Sequence, residues 1–281
     1  MKKIVALLAL PALCIALLSG CAGEEAISPP NSNAGEDTVA IEETSFPDDA
    51  FRAYVLEVCD TNGDGALCET ERMAVTSIEV GGRDIADLTG VALFPNLAYL
   101  DCHMNSLSAL DVSGNPALRA LWCSYNELAS LNVKGNAALT TLWCGRNKLT
   151  ALDVSGNSGL VSLSCPFNKL SELNVSMLPI LSELCCAGNA LAALDVTHNP
   201  RLNRLECYYN QLTELDVTQN PGLDNLNCAY NLLTALSTQG NPLLRHLYLA
   251  HNHNTLTSLD VSASPLLYTV HLSDNYALSE V

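Results

Sequence analysis

Leu97-Ala98-Tyr99-Leu100-Asp101-Cys102-His103-Met104-Asn105-Ser106-Leu107 is followed 21 residues later by Leu118-Arg119-Ala120-Leu121-Trp122-Cys123-Ser124-Tyr125-Asn126-Glu127-Leu128. The opening leucine recurs at 97, 118, 139, 160, 181, 202, 223 and 244, then at 267 after a two-residue insertion. Self-similarity at a fixed period of this size means a stack of equivalent units, each burying its apolar face against its neighbours. The abundance of leucine and the 5% aromatic content suit such a uniform column.

Each unit reads Leu-x-x-Leu-x-Cys-x-x-Asn-x, then Leu-x-x-Leu-Asp-Val-Ser-x-Asn-x-x. Two halves of ten and eleven residues predict two short strands per coil, one near Leu100 to Cys102 and one near Leu110 to Val112. This pattern resembles the leucine-rich repeats with alternating ten- and eleven-residue halves, termed IRREKO, and more distantly the internalin-like surface proteins. The resemblance covers residues 97–281. It implies a mainly β, right-handed leucine-rich repeat solenoid of about nine coils with parallel strands, whose strand face binds a macromolecule, most often a protein. Leu178 in place of the second Asn, Ser237 in place of the acid and Leu249 in place of Cys depart from the pattern. Residues 76–96 read as a degenerate first coil: shifted by 22, Ile78 falls on Leu100 and Val80 on Cys102.

Alternation assigns the repeated positions. Cys102, Cys123, Cys144, Cys165, Cys186, Cys207 and Cys228 share the inward side with leucine, so these seven thiols are expected to pack as small hydrophobes. Cys185 falls one residue out of register, on the outer face. The Asn105, Asn126, Asn147 series is expected to bridge backbone groups of adjacent coils at one bend, and the Asn115, Asn136, Asn157 series at the other. An acidic row on the second run (Asp111, Asp153, Asp195, Asp216, Asp260) reads as a solvated face, with a cation-binding strip as the alternative.

Positions 99, 101, 103 and 104, with their equivalents at multiples of 21, point outward. They hold Tyr99, Met104, Trp122, Tyr125, Trp143, Arg146, Phe167, Tyr208, Tyr209, Tyr230 and Tyr248. Both tryptophans and six of the nine tyrosines therefore share one stripe, while the equally exposed second-run row has no aromatic. Aromatic side chains suit strand surfaces generally, but this grouping is what binding faces use. His246, His251, His253 and His271 gather at the far end. His246 and His271 are expected outward on successive strands, where zinc is an alternative to solvent.

The N-terminal part reads differently. Residues 1–20 have Lys2 and Lys3, an apolar run and Leu18-Ser19-Gly20 before Cys21, an export signal in form. Leu-Ser-Gly-Cys resembles the bacterial lipobox, which implies cleavage before Cys21 and its acylation, hence a membrane contact through lipid alone. Residues 21–45 are rich in acid, Pro and Asn and read as a disordered tether. Residues 46–75 read as a small helical cap, with Pro47 in the first helical turn. It contains Asp60-Thr61-Asn62-Gly63-Asp64-Gly65-Ala66-Leu67-Cys68-Glu69-Thr70-Glu71, which resembles the EF-hand loop. The match implies one structural calcium ion held by Asp60, Asn62, Asp64, the Ala66 carbonyl and Glu71. Cys68 departs from it, since a thiol is a poor calcium ligand. Cys59 and Cys68 flank the loop and could pair in an exported protein.

The formal charge of −17 becomes −19 once Lys2 and Lys3 leave with the signal. So acidic a chain, with scattered bases, is unsuited to nucleic acid. No nucleophile–base pair, phosphate loop or paired catalytic carboxylate stands out from the repeat, so no enzyme is expected. The expected function is a lipid-anchored, cell-surface recognition or adhesion protein with a protein ligand. A glycan ligand and a passive envelope scaffold are the alternatives.

Overall fold

The computed structural model describes residues 37–252 and 255–279. The signal segment, Cys21, most of the tether and His253 lie outside the described residues.

Ten three-residue strands stack into one parallel sheet. They are β3 (Ser77–Glu79), β4 (Tyr99–Asp101), β5 (Ala120–Trp122), β6 (Thr141–Trp143), β7 (Ser162–Ser164), β8 (Glu183–Cys185), β9 (Arg204–Glu206), β10 (Asn225–Asn227), β12 (His246–Tyr248) and β14 (Thr269–His271). Their order follows the chain, so each coil lies on the one before it. The middle residue of each strand points inward because side chains alternate. Leu100, Leu121, Leu142, Leu163 and Leu184 thus pair in register and are buried. The degenerate first coil joins as the sequence places it, with Ile78 opposite Leu100.

The second expected strand is largely absent among the described residues. An isolated Asp111–Asn132 bridge forms, and β11 (Ala235–Ser237) pairs with β13 (Ser258–Asp260). Along this row the acid makes a local turn: Oδ1 of Asp111, Asp153 and Asp195 accepts the amide of Ser113, Ser155 and Thr197, each at 2.9 Å. Asp260, within β13, makes the same turn to the Ser262 amide at 3.0 Å, so the turn is compatible with pairing.

The first asparagine ladder acts as expected. Asn147 Nδ2 donates to the carbonyls of Cys123 and Cys144, each at 3.0 Å, and its Oδ1 accepts the Leu128 amide at 3.0 Å. One side chain therefore ties together the bends of adjacent coils. In the second ladder Nδ2 also donates twice, as Asn136 does to Val112 and Asn115 at 2.9 Å. There, however, the buried Oδ1 of Asn115, Asn136, Asn157, Asn199, Asn220 and Asn241 has no hydrogen-bond partner. At Leu178 the ladder skips a coil.

The seven ladder cysteines are fully buried free thiols. Burial pushes those of Cys123, Cys144, Cys165, Cys186 and Cys207 well up, so they stay protonated packing groups. Cys185 is half-buried on β8.

At the N-terminal end α1 (Asp49–Val58) and α2 (Glu69–Ala74) flank the loop that carries β2 (Ala66–Leu67). Phe46, Phe51, Val55 and Leu67 enter the same apolar core as Ile78, Val80 and Ile85. Pro47 stands just before the helix rather than in its first turn, because Asp48 is the N-cap. Asp48 Oδ1 caps the amides of Ala50 and Phe51, and Oδ2 accepts Ala86 N at 2.8 Å. Burial alone would raise the Asp48 pKa, but these amides more than offset it and the net shift is downward. Residues 39–40 differ from the sequence reading. They form β1 (Val39–Ala40), antiparallel to β2, where the tether was expected to continue. Main-chain pairing, supported by Arg72 donating to the Asp37 carbonyl at 2.9 Å, holds a segment whose side chains alone give little reason for order.

Candidate functional site

The aromatic stripe resolves into two parallel rows. One consists of third residues of the strands, with Tyr99, the first residue of β4, leaning on it. Tyr99 packs edge-on against Trp122 at 5.2 Å, and Trp122 stacks on Trp143 at 4.6 Å with their planes 9° apart. Burial, then Asp101 and Glu79, pushes the Tyr99 phenol up to about 12, which keeps it a hydrogen-bond donor. The Trp122 indole N–H is buried without a partner, whereas Trp143 Nε1 donates to Ser162 Oγ at 3.3 Å. Beyond Trp143 the row drops to Ser164 and Cys185. The step leaves a recess of about 120 Å³ bounded by Trp143, Ser162, Ser164, Glu183 and Arg204. Further along, Tyr248 stacks on His271 at 5.0 Å.

The second row follows from the backbone. One residue per coil adopts a left-handed conformation at the exit from its strand: Met104, Tyr125, Arg146, Phe167, Gly188, Tyr209, Tyr230, His251 and Asp274, with φ between 53° and 63°. Bulky residues rarely occupy this region, which glycine and asparagine adopt more cheaply. Equal geometry aligns their side chains. Arg146 lies between Tyr125 (5.1 Å from guanidinium carbon to ring centroid) and Phe167 (4.5 Å). Tyr209 stacks on Tyr230 at 4.1 Å and Tyr230 on His251 at 4.3 Å, and His251 Nε2 lies 3.1 Å from Asp274 Oδ2. Gly188 is the gap. A Cβ there would lie 2.4 Å from the Phe167 ring, which occupies the vacant place and reaches toward Tyr208 at 6.5 Å.

The structure thus brings Tyr99, Trp122 and Trp143 together, then Tyr125, Arg146 and Phe167, then Tyr208, Tyr209 and Tyr230, with Tyr248 apart beside His271. The sequence reading missed His251 as a member of this face, although it stands seven periods of 21 beyond Met104. His246 and His271 lie outward on the neighbouring strands β12 and β14, as the sequence reading placed them, but at different positions: His271 opposes Tyr248 and His246 opposes Thr269. His246 meets Tyr268 edge-on at 6.3 Å instead.

A concavity of about 910 Å³ lies on the second run between Asp153, Glu172, Asp195, Met177 and His198. Its two aspartates are engaged in turns. Hydrogen bonds from the Ser155 and Thr197 hydroxyls, then from their amides, hold Asp153 and Asp195 below the usual range. This is the behaviour of a solvated structural face.

In the loop at residues 60–71, Asp60 Oδ1 and Oδ2 accept the amides of Gly63 (2.7 Å) and Gly65 (2.9 Å). Asn62 Oδ1 accepts Asp64 N at 2.8 Å, and Asp64 Oδ1 accepts Ala66 N at 2.9 Å. Glu71 turns to the amides of Thr61 (2.8 Å), Asn62 (3.2 Å) and Cys68 (3.1 Å). Asp60 and Glu71 are both buried. Among the described residues neither forms an ion pair with a base, and no three carboxylate, thiol or imidazole groups converge as a metal-holding cluster. Cys59 and Cys68 are separate thiols, and burial, then the Glu71 charge, pushes Cys59 up to about 11.

No family model matches the sequence. A stretch of 70 residues, 25% of this chain and 8% of the relative, is 36% identical to Internalin J of Listeria monocytogenes serotype 4b (strain F2365). The functional domain of InlJ from Listeria monocytogenes, described as including a cysteine ladder, superposes with a TM-score of 0.65 and 28% identity over 88% of this chain and 64% of that one. An internalin, InlF, of the same bacterium superposes with a TM-score of 0.59 and 17% identity over 86% of this chain and 96% of that one, a likeness of fold alone. The chain therefore spans less than two thirds of the solved InlJ domain and a small part of Internalin J. Among the described residues no helix is long and apolar enough to cross a membrane. The chain is an internalin-like leucine-rich repeat solenoid.

Proposed function

We propose that this protein is a lipid-anchored surface recognition module whose strand face binds a protein ligand through its aromatic rows. The observation that carries the reading is the Tyr99–Trp122–Trp143 stack beside the Arg146 row, on a solenoid whose second run has no aromatic. Large, rigid rings grouped on an exposed face supply contact area at little entropic cost. The buried, unpaired Trp122 N–H adds weight, because a packing role alone gives no reason to retain a polar atom there. Cys21 would carry acyl chains that hold the domain at a bilayer, with the acidic segment after it as spacer.

The matched test uses residues 22–281 and the Trp122→Ala/Trp143→Ala variant against cell-surface proteins and polysaccharides. A protein retained by the parent and lost by the variant is the expected result. Equal recovery by both would sink the strand-face reading. The exposed ring of Trp143 beside a recess of serines favours a second reading, a stacked sugar. Retention of polysaccharide alone would select it.

The loop residues have the chemistry calcium takes, and two buried carboxylates that accept N–H and O–H donors, with no base paired to either among the described residues, leave charge for a cation to neutralise. Asp60, Asn62, Asp64, the Ala66 carbonyl and Glu71 would hold the ion, with Glu71 giving up the amides it now caps. Binding to the folded form alone stabilises by about 2.7 kcal/mol at one hundred times Kd. The thermal midpoint is therefore expected to rise in millimolar calcium and fall back with chelator. Identical midpoints would remove calcium from the account.

A further inference from the structure

We infer that Arg146 is a carboxylate receptor on the aromatic face, taking an aspartate or glutamate side chain of the protein ligand; this rests on the strand-face reading above. Its surroundings distinguish it from the other cations of that face. Arg204 is held by Glu206 at 2.5 Å and Arg245 by Asp224 at 2.6 Å, so both are already neutralised. Arg146 has no carboxylate partner among the described residues. It is gripped by rings instead, with Tyr125 on one side and Phe167 on the other. Its backbone is fixed too, in the left-handed conformation and with its amide donating to the Pro166 carbonyl at 2.7 Å.

Rings hold a guanidinium by its π faces and leave its N–H edge pointing away from them. That edge is a planar fork matched to the two oxygens of a carboxylate. The usual entropic cost of ordering an arginine has already been met by the clamp, so the fork is presented rather than searched for. The rest of the neighbourhood decides the source of the carboxylate. Arg146 is framed by the Tyr125 and Phe167 rings and by Pro166, whose carbonyl accepts its amide, with the Tyr208 phenol within reach of its charge. A uronic acid would bring several hydroxyls and find few partners for them, whereas an acidic side chain flanked by apolar residues brings none. The charge of −17 adds a constraint. An acidic partner would be repelled at long range, so the ligand surface is neutral or basic with a single carboxylate at this point.

The test is an NMR titration of residues 22–281, following the Arg146 Nε–Hε and Trp143 Nε1–H signals. The probes are N-acetyl-glutamate N-methylamide, its glutamine counterpart and methyl glucuronide. A saturable shift of Arg146 with the glutamate probe alone is expected, weakened roughly tenfold or more in Arg146→Gln and in Arg146→Lys, which keeps charge but loses the fork. Unchanged backbone amide spectra away from the site would show that both variants fold. Equal response to the glutamine probe, no response, or response to the glucuronide alone would overturn the inference. The pull-down separates the two readings. Loss of ligand in the tryptophan variant together with full retention by Arg146→Gln would remove the carboxylate receptor and keep the strand face.

Discussion

Asn147→Ala is expected to destabilise the protein by about 3–5 kcal/mol, although it removes a small polar side chain from a leucine-rich column. The side chain bridges two coils and is 8% exposed. Its loss strands the Leu128 amide, whose acceptor is Asn147 Oδ1. A buried unpaired N–H costs about 1–3 kcal/mol. The carbonyls of Cys123 and Cys144 suffer less, because Asn126 and Asn168 still donate to them at 3.1 Å. Each of those two lost bonds adds about 1 kcal/mol. The damage should be local, since coils contact only their neighbours. Hydrogen exchange should therefore quicken around residues 123–147 before the ends respond, and chemical denaturation should report the whole loss. A change below about 1 kcal/mol would mean that water replaces the amide, and the ladder would then be ornament rather than structure.

Leu142→Ala is expected to cost about 3–4 kcal/mol, and Leu152→Ala about 1 kcal/mol less. Leu142 is 0% exposed, in register between Leu121 and Leu163, and directly precedes Trp143. In-register strands hold the neighbouring coils, so the cavity cannot collapse freely and the cost lies in the upper part of the usual range. Leu152 belongs to the second run, where the leucines from Leu110 to Leu215 are each 6–8% exposed and pairing is limited to one isolated bridge. That wall can relax and admit solvent. Parallel urea unfolding of the two variants measures the difference. Equal losses would mean that the two sides of the column are equally rigid, contrary to their hydrogen bonding.

The sequence carried the period, the inward leucines and thiols and the first asparagine ladder plainly, because each depends only on strand alternation repeated at one spacing. Ile78 on Leu100 was legible for the same reason. The second strand was misread because alternation around Leu110 is satisfied equally by an extended run that pairs only at a single bridge, Asp111 to Asn132. Propensity also concealed the left-handed row. Tyr125, Arg146 and Phe167 have none of the glycine or asparagine character that signals positive φ, and only Gly188 gave a hint. The strand at Val39 was hidden in an acidic segment because its order comes from pairing with Ala66 and Leu67, a partner far along the chain. The register across the two-residue insertion was legible too, since moving the opening leucine from 244 to 267 already sets Tyr248 against His271.

The left-handed row bears on how such a protein changes over generations. At each of these turns except Gly188 an L-residue with a side chain is held in a conformation that disfavours it by about 1–2 kcal/mol. Mutation without selection would therefore drift the row toward glycine and asparagine, gaining stability at every step. Rings and a guanidinium at six of these sites (Tyr125, Arg146, Phe167, Tyr209, Tyr230 and His251) stand against that drift. A copy of this gene released from its ligand should then become a steadier solenoid as it loses its face, and the composition of this single column would record the release before any leucine of the core had changed.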